Sequence, residues 1–99
     1  MTSGGSVYIL TNKNKTTLYV GVTADISSRI REHLEKKYPR SFSAKYNLNI
    51  LIYMEHFSTN QEVIHREKYI KDKTRLWKEN AINSVNPNWN NLTEDVLTW

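Results

Sequence analysis

The sequence contains no cysteine among its 99 residues. Disulfide bonds and zinc sites built on cysteine are therefore excluded, and nothing indicates an oxidising compartment. No segment approaches the roughly 20 apolar residues that a membrane-spanning helix needs. The opening residues, MTSGGSV, lack the charged and apolar regions of a signal peptide. These absences predict an intracellular, cytoplasmic protein without a membrane partner.

The motifs of several common enzyme classes are also missing. No glycine-rich phosphate-binding loop and no zinc-protease helix motif is present. The three histidines, His33, His56 and His65, do not have the spacing of a zinc site. Nothing places a serine on a tight turn beside a histidine, as a serine triad would require. Catalysis, if present, must use other groups.

The chain does carry an excess of positive charge. Its 14 lysines and arginines outnumber 10 aspartates and glutamates, which gives a formal net charge of +4. This excess permits an anionic partner such as nucleic acid without requiring one, because many small basic domains bind nothing in particular. The length suits one compact domain. We expect residues 1–99 to form a single domain, with a flexible leader at 1–5 and a core over about 6–92.

The first half of the chain predicts a β-hairpin followed by a helix. The runs VYIL and LYVGV flank a loop rich in asparagine and lysine, and their alternation predicts that Tyr8 lies opposite Tyr19. A register shifted by two residues keeps the same faces and remains open. The following helix begins near Ile26, is capped by Asp25 or Thr23, and ends before Pro39. Its predicted buried stripe is Ile26, Ile30 and Leu34.

The second half predicts one strand and two helices. The continuous apolar run in LNILIYMEHF favours a central strand with both faces covered. The segment STNQEVIHREKYIKDKT reads as a helix capped by Ser58, Thr59 or Asn60, and RLWKENAINSV as another. The C-terminal TEDVLTW is compatible with a short helical turn. The order β-β-α-β-α-α predicts an α+β fold, a three-stranded antiparallel sheet flanked by helices.

Glu67 interrupts the apolar stripe of the second predicted helix. Val63 and Ile70 mark that stripe, and Glu67 is offset by only about 40° from Val63. A carboxylate there is costly unless it is paired, hydrogen-bonded or bound to a metal. Pairing with Arg29, or a rotation of the helix that exposes Glu67, would also explain it. The other glutamates on these helices fall on polar faces and are predicted to be solvated: Glu32, Glu35, Glu62 and Glu79.

Two further pairs stand out. Arg29 and His33 are four residues apart and border the buried stripe of the first helix, at the edge of a half-buried cleft. Tyr8 and Tyr19 share one face of the hairpin. Each pair has a plain explanation, as a solvated helix pair and as cross-strand packing worth up to about 1 kcal/mol. Together with Glu67, however, they bring two phenols, a guanidinium, an imidazole and a carboxylate to elements that are expected to meet.

Five short motifs follow one another over about residues 6–92. They are Ser6-Val7-Tyr8, Tyr19-Val20-Gly21, Arg29-x-x-x-His33, Glu67 within HREKYIK, and SVNPNWNNL. In this order the sequence resembles the GIY-YIG nuclease domain, and in particular small single-domain bacterial members similar to the N-terminal domain of the excinuclease incision subunit. It departs from the family pattern in carrying Ser6 in place of glycine, and Val7 and Val20 in place of isoleucine.

The resemblance implies metal-dependent hydrolysis of DNA phosphodiesters, in DNA repair or recombination. It implies that Glu67 holds Mg²⁺ or Mn²⁺ and that Arg29 binds the phosphate oxygens. Tyr8 would then help to activate the attacking water, while Tyr19 and His33 orient water and phosphate or share the proton transfer. Two further residues are given structural roles at the site: Gly21 and Asn86.

The resemblance also gives the basic residues a use. The segment SFSAKYN resembles the basic connection after the first helix of the family. Eight side chains are predicted to contact phosphates without reading sequence: Lys36, Lys37, Arg40, Lys45, Lys71, Lys73, Arg75 and Lys78. Such binding is weak and salt-sensitive. The alternative is a nucleic-acid-binding module with little or no catalysis. A protein partner could supply the targeting, and the oligomeric state stays open.

Overall fold

The computed structural model describes residues 4–35 and 40–97, apart from the side chains of residues 42 and 43. These residues form eight elements in chain order: β1 (Gly5–Thr11), β2 (Leu18–Thr23), α1 (Ile26–Glu35), α2 (Phe42–Lys45), β3 (Ile50–Phe57), α3 (Asn60–Lys71), α4 (Arg75–Val85) and α5 (Thr93–Leu97). The predicted β-β-α-β-α-α order is confirmed. The single turn α2 lies in a segment that was predicted to be a connection. None of the helices in the described ranges has the length and apolar character to cross a membrane.

The three strands form an antiparallel sheet in the order β2-β1-β3. The sheet confirms the predicted α+β architecture, but the prediction that β3 is central is wrong. The central strand is β1, all seven residues of which are buried. The pairing of β3 is irregular opposite Ile9 and Leu10, and Ile52 and Tyr53 consequently pack into the same core. This bulge breaks the alternation of β3, so that two consecutive residues of its apolar run are buried on the same face.

The hairpin adopts the register shifted by two residues. Tyr8 lies opposite Gly21, and Leu10 lies opposite Tyr19. The loop explains the shift, because the side chain of Asn12 closes it. Its Oδ1 accepts hydrogen bonds from the backbone N–H groups of Thr16, at 2.9 Å, and Thr17, at 3.1 Å. Those two residues are therefore held in the loop and do not extend the strand ladder.

The sheet has two buried faces with different characters. Alternation along β1 sends Val7 and Ile9 to the face that α3 and α4 cover, which we call the apolar face. It sends Ser6, Tyr8 and Leu10 to the opposite face, which we call the site face. The core of the site face consists of Tyr8, Leu10, Ile26, Ile30, Leu48, Leu51 and Val96, so α1 and α5 cover it.

The start of α1 is fixed by Asp25. Its Oδ1 accepts from the backbone N–H of Ser28 at 3.2 Å, and its Oδ2 accepts from the hydroxyl of Ser28 at 2.9 Å. These hydrogen bonds hold the pKa of Asp25 below its ordinary value. Ile26 and Ile30 are buried as predicted, whereas Leu34 is 44% exposed. The predicted stripe was too long, because four-residue spacing drifts by about 40° per step around a helix.

Candidate active site

Tyr8 lies in a notch that Gly21 creates on the site face. Its ring crosses the neighbouring strand β2 at the position where Gly21 has no side chain. A Cβ atom on Gly21 would lie 2.6 Å from both Cζ and the hydroxyl oxygen of Tyr8, and 3.0 Å from Cε2 of Tyr19. Such distances are too short for non-bonded atoms. Glycine is therefore required at residue 21 for the close approach of the phenol.

Three rings meet above this notch and form what we call the ring cluster, Tyr8, Tyr19 and His33. The hydroxyl of Tyr8 lies 3.1 Å from Nε2 of His33. The ring centroids of Tyr8 and His33 are 5.8 Å apart, and those of Tyr8 and Tyr19 are 6.4 Å apart. Tyr8 is fully buried, whereas Tyr19 and His33 are only partly covered. The cluster therefore has a buried phenol and an open side.

The surroundings favour the neutral forms of both hydrogen-bonded rings. Burial raises the pKa of Tyr8 well above its ordinary value, Tyr19 and Glu32 add to the rise, and Arg29 opposes it. Burial also lowers the pKa of His33, Arg29 lowers it further, and Glu32 opposes both effects. A neutral phenol donates a hydrogen bond to Nε2 of a neutral imidazole when that nitrogen carries no proton. The resting pair is therefore neutral, and Tyr8 and His33 are joined by a hydrogen bond rather than by an ion pair.

Arg29 and Glu32 stand beside the ring cluster on α1. Nε of Arg29 lies 3.4 Å from Oε1 of Glu32, and both side chains are partly exposed. The prediction that Glu32 is a plain solvated residue is wrong. Because Glu32 follows Arg29 by three residues, the two side chains are neighbours on the helix surface, and the carboxylate acts electrostatically on both His33 and Tyr8. The spacing of these three residues was the signal that the sequence offered.

Glu67 belongs to the other layer of the fold. Val63 and Ile70 anchor its helix, α3, on the apolar face. The side chain of Glu67 is only 16% exposed and forms a 3.0 Å salt bridge with Lys71, rather than with Arg29. The expected conflict between burial and charge is thus real, and a cation one turn further along the helix compensates it.

Helix geometry assigns Glu67 to the β2 side of α3. Arg66 and Glu67 flank the apolar stripe of α3 on opposite sides. Arg66 reaches β3, where its Nε lies 3.0 Å from Oε1 of Glu55. Because the strand order is β2-β1-β3, helix geometry directs Glu67 toward the β2 side. Tyr8 lies on the site face, whereas α3 packs on the apolar face, so Glu67 and the ring cluster lie on opposite sides of the sheet.

The donor set fits a hard, mostly hydrated cation. Within residues 4–35 and 40–97, no three histidine, cysteine, aspartate or glutamate side chains come together in a group that could hold a metal ion. Mg²⁺ does not need such a group, because it often takes one or two carboxylates and completes its shell with water and substrate phosphate. The carboxylate of Glu67 already neutralises a cation, Lys71, at this place. Glu67 therefore fits as a single oxygen ligand.

Asn86 braces a different part of the molecule from the ring cluster. Its amide nitrogen donates to the carbonyl oxygens of Ile52, at 3.0 Å, and Asn90, at 2.9 Å. Its amide oxygen accepts from the backbone N–H of Asn90 at 3.0 Å. The buried side chain thus ties the bulge of β3 to the segment after α4.

Some of the basic side chains predicted to contact phosphate are engaged within the protein, and others are exposed. Arg75 is engaged, because it donates to the carbonyl oxygens of Lys15 and Thr16, both at 2.7 Å, and pairs with Glu79 at 2.8 Å. Lys73 lies 4.2 Å from the centre of the Tyr69 ring. Arg40 and Lys45 are exposed, and Lys78 is partly buried. Two lie outside the described residues: Lys36 and Lys37.

Ser6, at the position where the family pattern has glycine, is accommodated on the site face. Its side chain is buried, and its hydroxyl lies 3.2 Å from Nδ1 of His56 on β3. Because β1 alternates, Ser6 and Tyr8 point the same way. The extra hydroxyl is therefore satisfied within the sheet.

Comparison with known proteins identifies the family of the chain. A family model described as the GIY-YIG catalytic domain matches residues 4–80. A UPF0213 protein of Vibrio parahaemolyticus is 32% identical over 77 residues, which cover 78% of this chain and 71% of the relative. A UPF0213 protein of Syntrophus aciditrophicus is 35% identical over 72 residues, which cover 73% of this chain and 82% of the relative.

A solved structure supports the same assignment. The solution NMR structure of a UPF0213 protein from Bacillus halodurans superimposes with a TM-score of 0.57 at 25% identity. The alignment covers 92% of this chain and 95% of that one. With the family match, the two sequence relatives and this shared fold, the chain belongs to the GIY-YIG family and, within it, is similar to the UPF0213 proteins.

Proposed function

We propose that the protein is a metal-dependent endonuclease that hydrolyses DNA phosphodiesters at the ring cluster, in DNA repair or recombination. The observation that carries the proposal is the hydrogen bond between Tyr8 and His33 in the notch above Gly21, with Arg29 beside it. A buried phenol with a proton-accepting partner and an adjacent guanidinium suits hydrolysis of a phosphate ester. Membership in the GIY-YIG family supports the same reaction class.

In this mechanism the protein residues bind the phosphate and move one proton. The guanidinium of Arg29 binds the non-bridging oxygens as negative charge develops on them. The attacking water gives a proton to the Tyr8 oxygen while the Tyr8 hydroxyl proton passes to Nε2 of His33. Tyr19, which packs against both rings, limits their movement and the access of bulk water.

The metal would be Mg²⁺ or Mn²⁺, with Glu67 as its protein ligand. When bound, such an ion stabilises charge on the phosphoryl oxygens and on the leaving 3′ oxygen. Helix geometry directs Glu67 toward the β2 side of α3, and Tyr8 overlies β2 from the site face, so the proposal requires a substrate that reaches around this edge. Exposed cations such as Arg40 and Lys45 would add weak, salt-sensitive contacts to neighbouring phosphates.

One observation favours a second candidate, a DNA-binding module with little catalysis. The carboxylate of Glu67 is satisfied by Lys71 in this structure. If that salt bridge persisted in the presence of divalent cations, DNA would bind at the basic surface without being cut. The two candidates therefore differ in whether a divalent cation displaces Lys71.

A plasmid-nicking assay separates the two candidates. Supercoiled DNA is incubated with Mg²⁺ or Mn²⁺ and with wild-type protein, Glu67→Ala or Glu94→Ala, the last being a control at an exposed position of α5. The proposal expects metal-dependent nicking by wild type and by Glu94→Ala, and its loss in Glu67→Ala. If wild type nicks no more than Glu67→Ala does, the nuclease proposal fails for duplex DNA. DNA binding that is retained and falls with rising salt would then support the binding module.

A further inference from the structure

We infer that Glu32 is a positioning residue of the proposed nuclease site, which holds the Arg29 guanidinium by its Nε edge and turns its outer edge toward the substrate phosphate. This inference rests on the proposed function. It concerns the carboxylate on α1 that neither the predicted site nor the proposed metal ligand includes. Two groups on one helix face, three residues apart, carry it.

The Glu32 carboxylate approaches Arg29 at Nε, which is not one of the two terminal nitrogens of the guanidinium. A guanidinium carries five N–H donors in a planar fork, and bidentate binding of a phosphate uses two of them. Glu32 approaches Arg29 at Nε, with 3.4 Å between Nε and Oε1, and the Arg29 side chain is 42% exposed. With Nε beside Glu32, the η nitrogens are the donors that the proposed phosphate contact would use.

Glu32 also balances the charge of Arg29 at the two proton-transfer groups. His33 is faced by Tyr8 from β1, by Tyr19 from β2, and by Arg29 and Glu32 from its own helix. Arg29 alone would make His33 a poorer proton acceptor. Because Glu32 opposes the effect of Arg29 on His33, it preserves the ability of the imidazole to take the proton from Tyr8.

The Glu32 carboxylate is expected to promote turnover but to weaken DNA binding. It repels a substrate phosphate, since like charges in a partly dry site interact strongly. Glu32 should therefore weaken binding slightly while it promotes turnover. A residue that only stabilised the helix would not affect the two quantities in opposite directions, so kinetics can distinguish a positioning role from a structural one.

The kinetic test uses Glu32→Gln, which keeps the shape of the side chain and removes its charge. The matched control is Glu35→Gln, an exposed glutamate three residues further along the same helix. We expect Glu32→Gln to lower kcat by on the order of 10-fold while KM stays equal or falls. Glu32→Asp should recover part of the loss, and Glu35→Gln should match wild type. Unchanged kcat in Glu32→Gln would overturn the inference.

A second readout does not depend on nuclease activity. In the DNA-free protein, NMR follows the titration of the His33 imidazole and the Arg29 Nε–H resonance. We expect Glu32→Gln to lower the pKa of His33 and to move the Arg29 resonance, and Glu35→Gln to leave both unchanged. If neither signal moves in Glu32→Gln, the inference is wrong even for an active nuclease. If both move and wild type cuts no DNA, the contact made by Glu32 is supported and the proposed function fails.

Discussion

Two buried tyrosines lie on opposite faces of the same sheet and differ in their partners. Tyr8 on the site face is 1% exposed, and Tyr53 on the apolar face is 6% exposed. Burial raises the pKa of both phenols, that of Tyr53 to about 12. Tyr53 donates to Glu55, a carboxylate already paired with Arg66 at 3.0 Å, whereas the hydroxyl of Tyr8 is hydrogen-bonded to Nε2 of His33.

The difference shows which property marks a candidate catalytic tyrosine. Burial and a raised pKa are common to both residues, so neither identifies the site. The partner of Tyr53 is a charged carboxylate that its own salt bridge stabilises. The partner of Tyr8 is a partly exposed imidazole whose neutral form is favoured. A mobile proton is therefore expected on the site face only, and the predictions below test this contrast between the faces.

Among the charged side chains, the largest expected effect contrasts two arginines. Arg29→Ala should reduce the rate of nicking by about 10²–10³-fold, the size seen when one donor to a developing oxyanion is removed. Its salt bridge is partly exposed, so stability should change little. Arg75→Ala removes bonds to two backbone carbonyls of the hairpin loop and should cost about 1–2 kcal/mol of stability with nicking retained. Nicking rates and urea unfolding are measured for both variants. Equal loss of nicking in Arg29→Ala and Arg75→Ala would contradict the assignment of Arg29 alone to the site.

Asn86 should matter for stability and not for chemistry. Asn86→Ala removes two donors and one acceptor and leaves the buried carbonyl of Ile52 without this partner. We expect a loss of about 2–3 kcal/mol in the free energy of unfolding. Nicking should persist at temperatures where the variant stays folded. A folded Asn86→Ala variant that cannot cut would instead assign Asn86 to the site.

Gly21→Ala tests the notch under Tyr8. The added methyl group would meet the Tyr8 ring at 2.6 Å, so the phenol must move away from His33. Overpacking of this kind costs about 1–3 kcal/mol. Nicking should fall even where the protein is folded. In the double variant Gly21→Ala with Tyr8→Ala the clash is gone, so its stability should exceed that expected from adding the losses of the two single variants. If the losses in free energy of unfolding are additive, the notch is not the cause.

The smallest effect is the pH dependence that His33 contributes to stability. Its pKa is lowered in the folded protein, whereas in the unfolded chain it lies near 6.5. Above this pH both states are neutral; as pH falls below it, the unfolded chain takes up the proton more readily, and stability is lost. The slope is at most about 1.4 kcal/mol per pH unit. Thermal unfolding between pH 7 and 5 should show a shallower slope for His33→Gln, with His65→Gln as control. An unchanged slope in His33→Gln would remove the evidence for a neutral imidazole.

Much of the fold followed from local patterns. Alternation identified the hairpin strands, and spacing of three and four residues identified the helices, because both periods depend only on neighbouring residues. The order of the strands did not follow. The apolar run of β3 resembles that of a central strand, but in the structure it accommodates a bulge at Ile52 and Tyr53. The carbonyl of Ile52 there accepts a hydrogen bond from Asn86, which is distant in sequence.

The candidate site was predicted in part for a similar reason. Tyr8, Tyr19, Arg29, His33 and Glu67 were predicted to meet. The structure brings the first four together, because strand alternation and helix spacing determine their faces. Glu67 lies on a helix that packs on the opposite face of the sheet. Glu32 was missed, since a glutamate beside a basic residue on a helix is usually solvated. Pairing of Glu67 was expected with Arg29, and the structure instead pairs it with Lys71, four residues further along its own helix.

The most direct test compares Tyr8→Phe with Tyr53→Phe. Each change removes one buried hydroxyl and its hydrogen bond, so both variants should lose about 1 kcal/mol of stability. Single-turnover nicking of supercoiled plasmid with Mg²⁺ then isolates the chemistry. We predict that Tyr8→Phe loses about 10²–10⁴-fold in rate and that Tyr53→Phe cuts like wild type. Wild-type cutting by a folded Tyr8→Phe variant would contradict the assignment of proton transfer to the site face.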